Sequence, residues 1–189
     1  MTNLPASFNQ QFINQLSFTE ERWFAVYTKY KCEKYVVEQL NKKGISAYLP
    51  LVTKVRRYNR KVKKYNVPLI NCYVFVHIKA DDYLKTLETE YVMKFLKQGK
   101  DLLHIPQVEI DILKRVVGEV EDVELMPVGQ DFEAGTWVEV VSGQLLGMKG
   151  RVIRKEGKHQ FLIDLETLGY SLMLQVDSKL LKPIYNISV

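Results

Sequence analysis

The sequence predicts an α+β protein in which helices pack on a mainly antiparallel N-terminal sheet, followed by a flexible linker and a small five-stranded β-barrel. Three observations support this fold class. The first 118 residues give the order β, α, several β, α, β, α, which is typical of α+β folds. Residues 119–133 are rich in acidic side chains. Residues 135–154 place glycines between β-branched runs at a spacing that indicates a barrel corner.

The N-terminal elements follow from apolar periodicity and from the residues that end each run. In chain order, the predicted elements are a strand at 23–27, a helix at 31–43 stopped by Gly44, a strand at 45–49, a hairpin at 52–67 with its tip near Asn59, a strand at 72–78, a short helix at 81–88, a strand at 91–96 and a final helix opened by Pro106. Residues 1–20 hold Phe8, Phe12 and Leu16 at helical spacing, and we expect them to form a tail.

The C-terminal part predicts short strands near 136–141, 150–155, 160–165, 171–176 and 180–184. Before them, Pro127 and Gly129 favour an irregular connector, and about 14 flexible residues would span roughly 20 Å. We therefore expect two domains that move independently. The predicted boundaries are a tail at 1–20, a first domain at 21–118, an acidic linker at 119–133 and a second domain at 134–186.

Charge is distributed unevenly along the chain. Residues 21–118 hold 20 basic and 10 acidic side chains, whereas residues 119–135 hold no basic side chain and 6 acidic ones, within a net charge of +5. A basic first domain predicts polyanion binding there. A basic surface that is only solvated stays an open alternative.

Other features of the composition exclude several classes of protein. No apolar run approaches the roughly 20 residues that span a bilayer, and the N-terminus lacks the features of a signal peptide. We expect a cytoplasmic monomer that binds no membrane. Cys32 and Cys72 form no CxxC pair, and we interpret both as packing residues in a reducing compartment.

The sequence gives little support for catalysis. It contains no P-loop, HExxH or GxSxG motif and no paired cysteine metal site. His77, His104 and His159 lie on different predicted elements, and a surface or packing role explains each better than a role as general base. We therefore expect no enzyme activity, no metal and no cofactor.

Two segments carry a resemblance to a known family. Residues 135–154 resemble a KOW motif, with Gly143, Gly147 and Gly150 at its glycine positions. The first domain resembles the N-terminal domain of the NusG family through WFAVYTK at 23–29, CEK at 32–34, YLP at 48–50 and LINCYVFV at 69–76. The resemblance covers residues 22–183. It implies a NusG N-terminal-like domain, an SH3-like KOW barrel and the role of a bacterial transcription elongation factor.

The resemblance also implies where RNA polymerase binds. In the NusG family, aromatic residues of the strand that contains Tyr73 form a depression that receives the tip of the polymerase clamp helices. The candidate polymerase-binding residues are Tyr73 and Phe75, with Phe95, Leu96 and Ile110 as neighbours.

Two features of the Tyr73 strand qualify this assignment. Period-two alternation puts Tyr73, Phe75 and His77 on one face, but both faces are largely apolar, so a central strand buried on both sides is the alternative. In addition, Asn71-Cys72 replaces the Pro-Gly or Pro-Asn that often precedes this strand in the family. We therefore expect a differently shaped start of the strand.

A second interface is predicted on the basic hairpin. Between residues 54 and 64, seven of eleven side chains are basic and none is acidic. Such a cluster attracts phosphate with salt-dependent affinity, although a solvated hairpin tip is the alternative. The resemblance implies contact with non-template DNA or nascent RNA, including contact by the first helix, which reads DNA in specialised members such as RfaH. The candidate nucleic-acid-binding residues are Lys29, Lys31, Lys34, Arg56, Arg57, Arg60 and Lys61.

The second domain is expected to recruit a partner. In housekeeping NusG the barrel binds ribosomal protein S10 or the termination factor Rho, and an Ile-Phe-Gly-Arg loop contributes to the Rho contact. The aligned loop at 167–170 reads TLGY, which lacks the phenylalanine and the arginine and argues against Rho. The candidate partner-binding residues are Leu165, Leu168, Tyr170 and Leu172, for which core and turn positions are the alternative role.

The resemblance thus favours a specialised, antiterminating paralogue of the RfaH or UpxY kind, with ribosomal protein S10 as a candidate partner. Two alternatives stay open. One is a housekeeping factor that couples polymerase to Rho or to the ribosome, and the other is a ribosome-associated RNA-binding protein. The glycines and β-branched residues favour a barrel over a helical form of the second domain.

Overall fold

The computed structural model describes residues 14–58, 61–117, 123–127, 135–143, 145–155 and 158–184. The chain forms two compact units. The first unit combines Met1–Tyr48 with Tyr73–His104, and the second combines Leu49–Cys72 with Ile105–Val189. The domain boundaries drawn from the sequence stay a prediction.

The secondary structure is of the α+β class, as predicted. The strands, in chain order, are β1 (Arg22–Thr28), β2 (Ser46–Tyr48), β3 (Leu51–Tyr58), β4 (Lys61–Pro68), β5 (Tyr73–Ile78), β6 (Val92–Phe95), β7 (Lys97–Gln98), β8 (Asp101–Leu102), β9 (Val123–Pro127), β10 (Thr136–Val140), β11 (Lys149–Lys155), β12 (Lys158–Leu165), β13 (Tyr170–Leu174) and β14 (Leu181–Pro183). The helices are α1 (Glu33–Lys42), α2 (Tyr83–Leu87) and α3 (Gln107–Val117).

The first unit is built on a four-stranded antiparallel sheet with the strand order β2-β5-β1-β6. One face of this sheet is largely apolar and buried. Phe95 of β6 stacks on Tyr83 of α2 with ring centroids 4.9 Å apart, and its edge meets Phe24 of β1 at 6.4 Å. Because Val26 and Val74 share this face and are also fully buried, the face forms the core of the unit.

Helix α1 begins two residues later than the sequence predicted. Lys31 has a φ of 65°, a left-handed conformation that cannot continue into a helix, and Cys32 occupies the N-cap position. Val36 and Leu40 then point into the core because they lie one helical turn apart. Gly44 follows the helix with a φ of 78°, which confirms the predicted stop.

Part of the predicted tail is attached to the first unit. The amide of Gln15 donates to the carbonyl of Leu102 at 3.2 Å, and the amide of Ala80 donates to the carbonyl of Ser17 at 2.8 Å. The expectation of a tail is therefore wrong for residues 15–17. Phe8 and Phe12 lie outside the described residues.

The predicted hairpin is formed by β3 and β4, which pair from Leu51 and Pro68 to Tyr58 and Lys61. The predicted tip residue Asn59 and the neighbouring Arg60 lie outside the described residues. At the base of the hairpin, the amide of Leu69 donates to the carbonyl of Pro50 at 2.8 Å.

The C-terminal sheet, β9 to β14, contains six strands instead of the predicted five, in the order β14-β10-β11-β12-β13-β9. The additional strand, β9, lies inside the predicted acidic linker, so the expectation of irregular structure is wrong for Val123–Pro127. The reason is its two central apolar residues: Leu125 pairs with Leu172, and Met126 packs against a buried cluster. That cluster consists of Ile153, Leu162 and Met173. The other linker residues, 119–122 and 128–133, lie outside the described residues.

Two glycines of the C-terminal sheet serve different purposes. Gly143 has a φ of 79° in the turn after β10, with open space where a side chain would stand. Gly150 lies on β11 beside β12, and a Cβ there would lie 2.3 Å from the carbonyl oxygen of Leu162 and 2.7 Å from the Phe161 ring. Gly150 is therefore required by close packing of two strands, and Gly143 by the turn conformation.

We expect Gly150→Ala to lower the free energy of unfolding by about 2–3 kcal/mol, because the methyl group forces two paired strands apart. The control Gly143→Ala should lose only about 1 kcal/mol, because its cost is confined to the left-handed φ. Urea unfolding followed by circular dichroism measures both losses. Equal losses for the two variants would contradict this account of Gly150.

Candidate functional site

The sheet face opposite the core of the first unit carries a row of aromatic side chains, which we call the aromatic face. Tyr27 pairs with Tyr73, and their rings meet edge to face with centroids 5.4 Å apart. Tyr48 of β2 pairs with Phe75 of β5, and the centroids of their rings lie 6.2 Å apart. The predicted alternation of β5 is therefore confirmed. The members of the aromatic face are Trp23, Tyr27, Tyr48, Tyr73, Phe75 and His77.

Exposure varies along the aromatic face. Tyr27 is 37% exposed and Tyr73 is half-buried, whereas Phe75 is fully buried. The ammonium group of Lys94 on β6 lies 5.9 Å from the centre of the Tyr27 ring. Burial raises the pKa of the Tyr48 hydroxyl to about 12, so this group stays neutral. The surface open to a partner is thus the Tyr27–Tyr73 end, and Phe75 supports it from inside.

The three residues that the sequence grouped around Tyr73 lie on different elements or faces, and only Leu96 continues β6 opposite Ala25, which pairs with Phe75. Phe95 lies on the opposite face of the sheet, in the core, so its assignment as a neighbour of Tyr73 is wrong. Leu96 is half-buried, and its amide donates to the carbonyl of Ala25 at 2.8 Å. Ile110 lies on α3 in the second unit and is fully buried.

Cys72, the residue before β5, has a backbone conformation that is typical of glycine. Cys72 has a φ of 64°, in the left-handed region that glycine adopts at little cost. The expected difference in shape from the strand start of other family members stays a prediction. The cysteine side chain stands where the left-handed backbone is unfavourable, at a cost of about 1–2 kcal/mol.

The basic hairpin exposes both of its faces to solvent. Arg56 pairs with Lys63, and Lys54 pairs with Tyr65, so these four residues share one face. On the other face, Arg57 pairs with Val62, which is 63% exposed. Lys61 is also exposed. Arg56 and Lys63 place like charges directly opposite each other, and contact of this hairpin with nucleic acid stays a prediction. Arg60 lies outside the described residues.

The second predicted basic group lies where β1 leads into α1. Lys29, Lys31 and Lys34 are all exposed. The ammonium group of Lys29 lies 5.6 Å from the ring centre of Tyr91, and that of Lys31 lies 5.2 Å from the ring centre of Tyr30. Lys29 and Lys31 are therefore each placed beside an aromatic ring, in a geometry compatible with cation–π attraction.

Tyr91 belongs to a small cluster that sequence reasoning missed. The hydroxyl of Tyr35 donates to Oε2 of Glu90 at 2.7 Å, and the Tyr35 and Tyr91 rings meet with centroids 5.4 Å apart. The hydrogen bond to Glu90 raises the pKa of both tyrosine hydroxyls, and the same hydrogen bonds lower the pKa of Glu90. We call Tyr35, Glu90 and Tyr91 the tyrosine pair and its carboxylate.

The predicted partner-binding residues of the C-terminal sheet divide into two groups. Leu165 and Leu172 are fully buried and form part of the core, which is the alternative role that the sequence left open. Leu168 and Tyr170 are half-buried at the turn between β12 and β13. The buried pair was misassigned because apolar residues on both faces of these strands conceal which face points outward.

The same turn is held by α3. Oε1 of Glu109 accepts a hydrogen bond from the amide of Thr167 at 2.9 Å, and Nη2 of Arg115 donates to the carbonyl of Leu146 at 2.6 Å. Burial raises the pKa of the Glu109 carboxyl, and the hydrogen bonds from Thr167 and Leu168 oppose this shift. Glu109 therefore accepts hydrogen bonds from backbone amides of the loop that was predicted to recruit a partner.

Neither a membrane helix nor a metal cluster is found in the described part of the chain. No helix there is long and apolar enough to cross a bilayer. Likewise, the described His, Cys, Asp and Glu side chains form no group of three that could hold a metal ion. Cys32 and Cys72 are half-buried and are not joined in a disulfide.

Comparison with known proteins identifies the first part of the chain. A family model described as "Transcription termination factor nusG" matches residues 21–114. Residues 21–114 therefore form a domain of the NusG family. The aromatic face, the basic hairpin, the tyrosine pair and most of α3 all lie within the NusG domain that it defines. Proteins of this family are transcription factors and not enzymes.

One solved structure supports the fold, and a second is similar to a lower degree. A structure described as "Domain interaction in Thermotoga maritima NusG" has a TM-score of 0.53 and 19% sequence identity, and the match covers 89% of this chain and 99% of that chain. The MjSpt4:Spt5 complex in conformation A has a TM-score of 0.30 and 18% identity over 86% of this chain and 97% of that chain. No curated protein matches the chain.

Glu109 gives this protein a pH-dependent contact. Because its folded-state pKa is raised, the stability linked to this carboxyl is fully present below the ordinary value of 4.5 and is lost as pH rises through the raised value. Glu109→Gln keeps the acceptor and cannot titrate, so this variant should lose less stability than the native chain as pH rises above 4.5. Urea unfolding at a series of pH values measures the difference, and parallel curves would contradict the assignment.

Proposed function

We propose that this protein is a bacterial transcription elongation factor of the antiterminating kind. Its NusG domain binds RNA polymerase, its basic surfaces contact nucleic acid near the transcription bubble, and its C-terminal sheet recruits a partner. The observation that carries the proposal is the partly open aromatic face within the NusG domain. The protein acts in the cytoplasm as a monomer and without a cofactor.

The polymerase contact rests on the Tyr27–Tyr73 end of the aromatic face. Tyrosine is a common anchor of protein interfaces because its ring buries a large apolar area while its hydroxyl remains hydrated. Tyr73 is the residue predicted from the family, and the structure adds its edge-to-face partner Tyr27. The occupant that we propose is the tip of the polymerase clamp helices.

The antiterminating role rests on the turn between β12 and β13. It reads Thr167-Leu168-Gly169-Tyr170 and lacks the phenylalanine and the arginine of the Rho-contacting loop. Leu168 and Tyr170 are partly exposed there, which suits a small apolar contact with a partner such as ribosomal protein S10. A factor that docks on polymerase without recruiting Rho leaves the polymerase able to read through terminators.

We expect the protein to increase read-through at pause sites and at a Rho-dependent terminator in a purified transcription assay. Tyr73→Ala removes a half-buried ring from the proposed docking surface, so this variant should bind polymerase core at least tenfold more weakly and lose the read-through. Phe75→Ala is a poor test, because truncating a fully buried Phe costs about 3–5 kcal/mol of stability.

Two controls sharpen the assay. Trp137→Ala removes an exposed aromatic ring from β10 and should leave polymerase binding unchanged. Circular dichroism shows whether Tyr73→Ala keeps the fold. Increased release by Rho would overturn the antiterminating role, and co-purification with ribosomal particles that lack polymerase would overturn the polymerase contact.

The nucleic-acid contact predicts a change in salt dependence. Reversing Arg56, Arg57 and Lys61 to Glu should make the dependence of complex binding on salt concentration shallower by about two units of log–log slope, because fewer counterions are released. The control reverses Lys149 of β11, Lys179 of the short helix before β14, and Lys182 of β14, with the same total charge change. An equal slope for the two triple variants would argue against a role of the hairpin.

A further inference from the structure

The turn between β12 and β13 presents adjacent backbone amides to one carboxylate. The amide of Gly169 donates to the carbonyl of Glu166 at 3.2 Å and closes the turn, and Gly169 has a left-handed φ of 70°. Successive amides in such a turn attract negative charge. The two central residues, Thr167 and Leu168, both donate to Glu109 of α3, with the Thr167 amide 2.9 Å from Oε1. The turn is therefore a small carboxylate-binding site that this chain occupies itself.

The packing of α3 does not require this carboxylate. Ile110, Leu113 and Val116 recur at helical spacing and are fully buried, so they anchor the helix. Glu109 is buried as well, at 6% exposure. Burial of a carboxyl group costs free energy and raises its pKa, and an apolar residue at this position would avoid that cost. Glu109 is thus explained by the amides that it binds and not by the packing of the helix.

A second contact shows which part of the C-terminal sheet α3 covers. Nη2 of Arg115 donates to the carbonyl of Leu146 at 2.6 Å, in the turn that follows β10. Strands β10 to β13 are consecutive antiparallel neighbours, so the turn after β10 and the turn after β12 lie at the same end of the sheet. Helix α3 therefore contacts both turns at the end where Leu168 and Tyr170 were proposed to meet a partner.

We propose that α3 competes internally with the partner of the C-terminal sheet, and that this partner places a carboxylate of its own on the amides of Thr167 and Leu168. The partner is a helical protein segment in which a basic side chain follows the acidic one within two helical turns, as Arg115 follows Glu109 on α3. Recruitment then requires that Glu109 leaves the turn. The inference rests on the proposed recruitment of a partner through this turn and adds the chemistry of that partner.

Fluorescence anisotropy of the full chain with two labelled peptides tests the site. The first peptide has the sequence of residues 105–118, IPQVEIDILKRVVG, and the second carries the change Glu109→Gln. In the chain, Glu109→Ala with Arg115→Ala removes both contacts of α3 with the turns, and we call this the opened variant. It should bind the first peptide about tenfold more tightly than the native chain, because an internal competitor acts at an effective concentration on the order of 1 mM. It should bind the second peptide about tenfold more weakly than the first, because charge-assisted hydrogen bonds are lost.

Two further variants serve as controls, and circular dichroism checks that each variant keeps its fold. Asp111→Ala with Lys114→Ala removes one acidic and one basic side chain that are exposed on the same helix, and should bind both peptides as the native chain does. Adding Thr167→Pro to the opened variant removes one amide donor, while proline suits the second position of a β-turn. This triple variant should lose the preference for the first peptide, although α3 has been released.

Three results would overturn the inference. These are equal affinity of the native chain and the opened variant for the first peptide, equal affinity of the opened variant for the two peptides, and an unchanged peptide preference after Thr167→Pro is added.

Ribosomal protein S10 is a second probe that separates this inference from the proposed function. The opened variant should bind S10 about tenfold more tightly than the native chain, because the same internal competitor is removed. Absence of S10 binding to both chains, together with the expected peptide results, would overturn S10 as the partner and support the carboxylate site. Polymerase binding measured in parallel should be the same for the native chain and the opened variant.

Discussion

The register between β1 and β5 is the constraint on which the candidate site depends. Because successive side chains of a strand point to opposite faces, the pairing of Tyr27 with Tyr73 fixes both rings on one face and sends Val26 and Val74 to the other. A slip of one residue would expose these valines and bury both tyrosines. The packing of Phe95 and the helices against the valine face therefore determines which aromatic side chains a partner can reach.

Strained backbone is concentrated at the starts of the elements that carry the candidate residues. Lys31, Cys72 and Tyr91 have left-handed φ values of 65°, 64° and 67° without being glycine. Lys31 lies two residues before α1, Cys72 directly precedes β5, and Tyr91 directly precedes β6. These elements carry Tyr35, Tyr73 and Lys94. Such conformations cost free energy and are retained where the surrounding contacts require them, which links the geometry of these turns to the placement of the rings.

The sequence predicted the order of elements well because apolar periodicity and glycine positions are local signals. It failed where the outcome depended on a contact distant in sequence. The acidic composition around β9 concealed that Leu125 and Met126 complete a sheet formed about fifty residues later. The hydrophobicity of Phe95 gave no sign of which face of β6 it occupies, and the register decides that. No signal in the sequence pointed to Glu90 and Glu109, because the contacts of Glu90 with Tyr35 and of Glu109 with Thr167 form only in the folded chain.

The basic hairpin shows how the proposed binding and the stability of the hairpin would be coupled. Its buried side chains lie at the base, where Val52, Leu69 and Ile70 anchor it, while residues 53–57 and 61–66 are exposed. The pairing of Arg56 with Lys63 places like charges opposite each other in this exposed part. A polyanion bound there would reduce the repulsion between cations, so it would stabilise the outer half of the hairpin more than the base. The same charges would then attract the proposed ligand and gain stability from it.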